Sequence, residues 1–255
     1  MRTTEDIGNF QIYLPDENSK QFYIFCDLAE LFADEYQSDS VSKLRKGLKI
    51  IDLKPKPSID YEADKTSIRT SNFKTIIEVA KLIHKNSIDT SKKTLDTKDW
   101  DEIEERLKNW KRPKPQEWKE NDIFSFKLKD SSLAFGQVLT KGKYNKTFAL
   151  FDLKFETERI DLKQLKKSKP LTILHLMGMK LNDKSWKVIG HLDSKLANPD
   201  KGPWGKNYGK TGSDNHLESV ANYYWFGECK WKNENDLKEL IIRKNGLINK
   251  IKNWW

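Results

Sequence analysis

Three groups of residues in this 255-residue chain have types that could do chemistry. Gly205-Lys-Asn-Tyr-Gly209-Lys210-Thr211 has the composition of a phosphate loop, in which backbone N–H groups cradle phosphates and a lysine neutralises them. Its spacing argues against that use. The pattern needs four residues between the first glycine and the Gly-Lys pair. Here Gly205 leaves three and Gly202 leaves six, and Gly212 follows where a helix should begin. Cys26 precedes Asp27 at a strand–helix junction, where a helix N-terminus can depress a thiol pKa and make a nucleophile. Its sequence context supplies no His or Asn partner, and an inert buried thiol fits the position as well. His84, His175, His191 and His216 are scattered, with no HExxH and no clustered cysteine. Structural roles are expected for them; no catalytic residue, metal or cofactor is assigned.

Two further clusters suit binding. Lys201, Trp204, Lys206, Tyr208 and Lys210 alternate cations with aromatics. Such a loop can stack bases and pair phosphates, it can form a protein-interface hot spot, or its tryptophan can fold onto the core. Asp96, Asp99, Asp101, Glu102, Glu104 and Glu105 crowd the start of a helix. Carboxylates there complement the helix dipole, and the same face could steer a basic partner. The expected partner-binding residues are therefore Asp99, Asp101, Glu102, Glu105, Trp204, Lys206, Tyr208 and Lys210.

The net charge of +9 comes mostly from lysine, 40 residues against seven arginines. Arginine is the residue that reads phosphate and guanine bidentately, so a solvated surface explains the excess at least as well as a polyanion site. The charge is uneven: residues 1–118 carry net −1 and residues 119–255 net +10, and ten of the 12 glycines lie in the second part. Twelve Phe, nine Trp and eight Tyr argue for packed cores. Two distant cysteines argue against a disulfide scaffold. No apolar run reaches membrane-span length, and Met1 to Phe10 lacks a secretory pattern. A soluble, reduced, cytoplasmic protein is expected.

The spaced prolines of Lys111-Arg112-Pro113-Lys114-Pro115 end a helix and mark a linker. Before it, Phe10–Leu14, Phe22–Cys26 and Leu48–Leu53 read as strands, and Asp27 can cap a helix carrying Leu28, Leu31 and Phe32. The three- and four-residue spacing of Phe73, Ile76, Ile77, Ala80 and Ile83 predicts a helix over 71–85. Trp100, Ile103, Leu107 and Trp110 predict another over 97–110. After the linker the period changes. Strands are expected at 122–128, 133–140, 147–155, 171–178 and 185–192, with Gly136 suited to a bulge. A loop over 197–216, one or two strands over 222–231, and a helix bearing Leu237, Leu240 and Ile241 complete the chain. Leu247 to Trp255 reads as a last apolar face. The fold class expected is α+β. An α+β domain (1–110) and a Pro/Lys linker (111–117) precede a β-rich domain (118–255), a small curved antiparallel sheet or barrel with a C-terminal helix.

Trp118, Asp122-Ile-Phe124, Ala134-Phe-Gly-Gln-Val-Leu139, Phe151-Asp-Leu153, Pro170 with Ile173-Leu174, and Trp186-Lys-Val-Ile-Gly190 occur in that order. The series resembles the immunity protein 26 family of bacterial polymorphic toxin systems over residues 118–192, with a continuation to Trp231 left open. The turn before Ala134 departs from the pattern in lacking a glycine. The resemblance implies a small bacterial protein that neutralises a cognate toxin by binding and occluding it, without catalysis. The matched glycines and aromatics carry the fold and leave the toxin-binding face undetermined. A nucleic-acid-binding β-barrel is the alternative, and an enzyme with an unrecognised site a third; oligomeric state is not legible.

Overall fold

The computed structural model describes residues 3–88, 95–142, 146–157, 162–193, 211–229 and 234–241. The chain divides into two compact units, Met1–Lys114 and Pro115–Trp255. No helix among the described residues is long and apolar enough to cross a membrane.

The first unit contains β1 (Thr4–Asp6), β2 (Gln11–Tyr13), β3 (Phe22–Cys26), α1 (Leu28–Phe32), α2 (Gln37–Ile51), β4 (Ser58–Tyr61), β5 (Thr66–Thr70), α3 (Phe73–Asn86) and α4 (Thr97–Asn109). Its antiparallel sheet has the order β1-β2-β3-β5-β4. Strand alternation turns Ile12, Ile24 and Ile68 into the core, where they meet Val41 and Leu44 of α2, Ile76, Ile77, Ala80 and Ile83 of α3, and Ile103 and Leu107 of α4. Asp27 caps α1 through the Glu30 N–H (2.9 Å), and Asn72 caps α3 through the Thr75 N–H (3.0 Å). The opposite sheet face carries Tyr13, Tyr23 and Phe25 in ring contact, with Phe25 exposed.

Leu48–Leu53 is not a strand. Val41, Leu44 and Leu48 share one buried stripe of α2, while Ile50 is 87% exposed, so the adjacent isoleucines imitated a strand without sharing a buried face. Asp52 closes α2 in the left-handed conformation. The polar strands β1, β4 and β5 carry too few apolar residues to announce themselves in sequence.

The second unit contains β6 (Asp122–Lys127), β7 (Leu133–Lys141), β8 (Lys146–Phe155), α5 (Leu162–Lys167), β9 (Pro170–Leu176), α6 (Met179–Asn182), β10 (Lys187–His191), α7 (Asp214–Phe226) and α8 (Glu234–Leu240). The strands form one antiparallel sheet, β10-β6-β7-β8-β9, which is open; the barrel alternative is corrected to a sheet whose end strands do not pair. Side chains from both faces are buried. One face packs Phe124, Phe126, Phe148 and Trp186 against Leu217, Val220 and Ala221 of α7 and Leu237 of α8. The other gathers Ile123, Phe135 and Phe151 with Leu165 of α5.

The strands expected over 222–231 are helical up to Phe226. Ser213 and His216 form a capping box, Leu217, Val220 and Ala221 recur at helical spacing, and Gly227 (φ +67°) terminates α7. The aromatic run Tyr223–Phe226 suggested β structure, but the capped start decides the period. It also shortens the loop expected over 197–216, of which 197–210 lies outside the described residues. Leu247–Trp255 does too.

Backbone groups at both sheet edges have partners. Gln116 Oε1 accepts the Val188 N–H on β10 (3.0 Å), while its amide nitrogen donates to the carbonyls of Leu181 and Trp186, both 2.8 Å. Beyond β9, Thr211 bridges His175 in parallel, and the Gly212 N–H donates to the His175 carbonyl (2.9 Å). These caps shield edges that would otherwise invite another strand.

Candidate partner-binding surfaces

On α4, Ile103 and Leu107 are buried and Trp100 meets His84 edge-on at 5.6 Å, so the carboxylates lie on the remaining surface. The Asp96 carboxylate accepts the Asp99 N–H, and the Asp99 carboxylate accepts the Asp96 N–H, each at 2.9 Å. Asp99 thus closes a capping box. Glu102 lies 3.8 Å from Arg106, whose guanidinium also donates twice to Glu5 (2.7 and 3.1 Å). Glu105 accepts from Asn109 (2.6 Å) and Lys108 (3.2 Å), which hold its carboxyl below the usual range. Glu104 faces Lys81 at 4.0 Å. Asp101 is exposed and has no ion pair among the described residues.

Beside this face lies an open groove of about 600 Å³, floored by Leu14 and Leu107, walled by Trp110 and rimmed by Glu5, Glu102, Glu105 and Arg106. The structure therefore places Asp101, Glu102 and Glu105 on one exposed surface, while Asp99 is engaged in the cap. Trp204, Lys206, Tyr208 and Lys210 lie outside the described residues. Thr211 can be followed: a phosphate loop would place it in a helix, whereas here it pairs with His175.

The nucleophile candidate fails on electrostatics. Burial, and then the charge of Asp27, push the Cys26 thiol up to about 12, so the apolar surroundings outweigh the helix terminus. Each remaining histidine of the second unit has a local hydrogen-bonding neighbour. His175 Nδ1 and Thr147 share a hydrogen bond of 2.9 Å, continued from Thr147 to Thr140 at 3.0 Å. His191 Nδ1 lies 2.9 Å from Asp122, and His216 Nδ1 accepts the Ser213 N–H at 2.6 Å. No group of three His, Cys, Asp or Glu suited to a metal occurs among the described residues.

The ordered motifs of the second unit meet in space. Phe124 pairs across strands with Gly136, and its ring stacks on Trp186 at 4.9 Å and 6°. The Trp186 indole donates to Glu218 on α7 (2.9 Å). Three motifs separated in sequence are thus one packing unit, and the β7–β8 register shifts beside Gly136 as a bulge requires.

A surface that sequence reasoning missed adjoins this unit. Met177 and Met179 are 60% and 39% exposed on either side of Gly178 (φ +71°). The buried Asp214 carboxylate accepts the Gly178 N–H (3.0 Å) and the Lys180 N–H (2.8 Å), fixing that turn. Lys141 and Lys146 hold their ammonium groups 4.0 and 5.7 Å from the Trp118 ring centre. Lys146 also donates to the Met177 carbonyl (2.7 Å), and Lys141 to that of Trp118. The signal in sequence was two methionines around a glycine just after a strand, a position where apolar residues normally turn inward.

No curated protein and no solved structure matches this chain. Residues 119–206, which hold all five strands of the second sheet, the methionine turn and both lysines, match the family model described as Immunity protein 26.

Proposed function

We propose that this chain is an immunity protein of a bacterial polymorphic toxin system, acting in the cytoplasm by binding and occluding a cognate toxin without a chemical step of its own. The match of residues 119–206 to the Immunity protein 26 model carries the reading. We take residues 118–255, together with the Gln116 that caps their sheet, as the immunity domain, the preceding part of the Pro/Lys stretch 111–117 as its linker, and 1–110 as a second binding module. In that module the exposed Asp101, Glu102 and Glu105 beside the apolar groove support docking of a basic toxin surface, with Asp99 positioning the helix start. Trp204, Lys206, Tyr208 and Lys210 remain the expected contact loop of the immunity domain, and Trp204 and Lys206 fall within the family match.

The test is co-expression with the toxin-like gene adjacent to this one. The chain should restore growth and co-purify with the toxin. If it does neither, the immunity reading is overturned.

A further inference from the structure

We propose that the Met177–Gly178–Met179 turn, together with Lys141 and Lys146, is a preformed docking surface for an acidic segment of the cognate toxin that carries an apolar side chain. The proposal rests on the immunity reading and names the toxin chemistry that this face takes.

The first argument is exposure against rigidity. Among the described residues of the second unit, Met177 and Met179 are the large apolar side chains that stand exposed. They do not sit on a loose segment. Gly178 has a left-handed φ, and a Cβ built there would stand 3.1 Å from Phe148 Cζ and 3.2 Å from Trp118 Cζ2. The Asp214 carboxylate, 6% exposed, holds the N–H groups on both sides of Met179. The backbone is thus fixed from below while two thioethers face solvent. Methionine is flexible and polarisable, and it adapts to varied apolar partners.

Charge selects the occupant. Neither Lys141 nor Lys146 has a carboxylate within ion-pair distance among the described residues, and each retains ammonium donors beyond its carbonyl partner. The neighbouring acids are already engaged. Glu120 accepts the Lys141 backbone N–H (2.7 Å), Glu218 pairs with Lys180 and Trp186, and Asp214 is buried in the clamp. The excess is positive, in the half of the chain that carries net +10. Two cations flanking two apolar side chains complement a segment with carboxylates around an apolar anchor.

Nucleic acid fits less well. Base stacking needs an accessible ring face, whereas the Trp118 face is occupied by lysines and only 7% of the residue is exposed.

The experiment uses the full chain and the purified product of the adjacent toxin-like gene, with affinity measured by calorimetry at two salt concentrations. The double variant Lys141→Glu/Lys146→Glu should weaken binding on the order of 100-fold and flatten its salt dependence. Lys141 also covers Trp118, so Met177→Glu provides an independent variant at a largely exposed side chain. It should weaken binding at least about 10-fold while leaving the melting temperature of the free protein unchanged. If the wild-type chain binds the toxin and both variants bind within about twofold of it, the docking surface is refuted while the immunity reading stands. If the wild-type chain does not bind, both fall. Binding of a labelled single-stranded oligonucleotide that is lost in the lysine variant, with toxin affinity unaltered, overturns the assignment in favour of nucleic acid.

Discussion

Gly136 offers the sharpest test of how the second unit is packed. Its cross-strand partner is Phe124, whose ring covers the glycine in the way aromatic residues shield strand glycines. A methyl group at Gly136 would lie 2.8 Å from Phe124 Cε2, within contact of its Cζ, and 2.7 Å from the Ala149 carbonyl oxygen. Neither neighbour can retreat. Phe124 is fully buried, stacked on Trp186 and edge-on to Phe148 at 6.0 Å, and Ala149 belongs to the β7–β8 ladder. Overpacking a tight core costs about 1–3 kcal/mol, and two simultaneous clashes place Gly136→Ala at the top of that range, about 3 kcal/mol. Phe124→Leu removes one clash but leaves the carbonyl. The double variant should therefore recover about 1 kcal/mol relative to the sum of the single changes. Urea unfolding followed by tryptophan fluorescence and circular dichroism measures all four corners of the cycle. A loss below about 1 kcal/mol for Gly136→Ala, or strict additivity with Phe124→Leu, refutes this account of the packing.

Asp214→Asn keeps one acceptor for the Gly178 and Lys180 N–H groups and turns an NH₂ toward the other. A loss of about 2 kcal/mol and faster hydrogen exchange at those two amides are expected; unchanged exchange counts against the clamp. With its pKa at about 12 against an ordinary 9.0, Cys26 holds roughly a thousandfold less thiolate near pH 8, so iodoacetamide should label it that much more slowly than in the urea-unfolded chain. The same shift makes this thiol's contribution to stability full below about pH 9.0 and progressively lost as pH rises toward 12; equal labelling rates would refute its burial. Burial lowers the His216 imidazole below its ordinary 6.5, outweighing the opposing effect of the hydrogen bond with Ser213. The unfolded chain then takes up the proton first, so stability is full above about pH 6.5 and falls on acidification. His216→Gln should flatten the melting-temperature profile between pH 7.5 and 5, and an unaltered slope would overturn this reading.

The parts of the fold legible in sequence were those whose apolar spacing matched one period. The α3 and α4 stripes and the five strands of the second unit emerge within two residues of their expected limits. Misreadings arose where apolar residues sat side by side. Ile50-Ile51 and Tyr223–Phe226 resemble strands locally, yet the caps and buried stripes of α2 and α7 decide their conformation. The polar strands β1, β4 and β5 owe their place to neighbours across the sheet, which no local pattern encodes. The acidic face was visible as composition, but its division into a cap, paired carboxylates and exposed Asp101 depends on Glu5 and Lys81, which are remote in sequence. Met177 fell inside the strand expected over 171–178; the turn that exposes it is held by Asp214, 34 to 36 residues away along the chain in its bonds to Lys180 and Gly178.

The bonds made by Gln116 define where an autonomous piece of this protein can begin. Residue 119 opens the family match, yet Gln116 holds Val188 and two carbonyls, and Trp118 donates its indole N–H to Asn182 (2.8 Å). At the other end the match stops at 206, before Asp214 and the α7 residues that close the apolar cluster. A fragment trimmed to the matched limits would bare the β10 edge and one wall of the core together, the combination that promotes strand-to-strand aggregation. A fragment that keeps both the edge and the core therefore has to start at or before Gln116 and continue through α7 and α8, whose Leu237 belongs to the same apolar cluster.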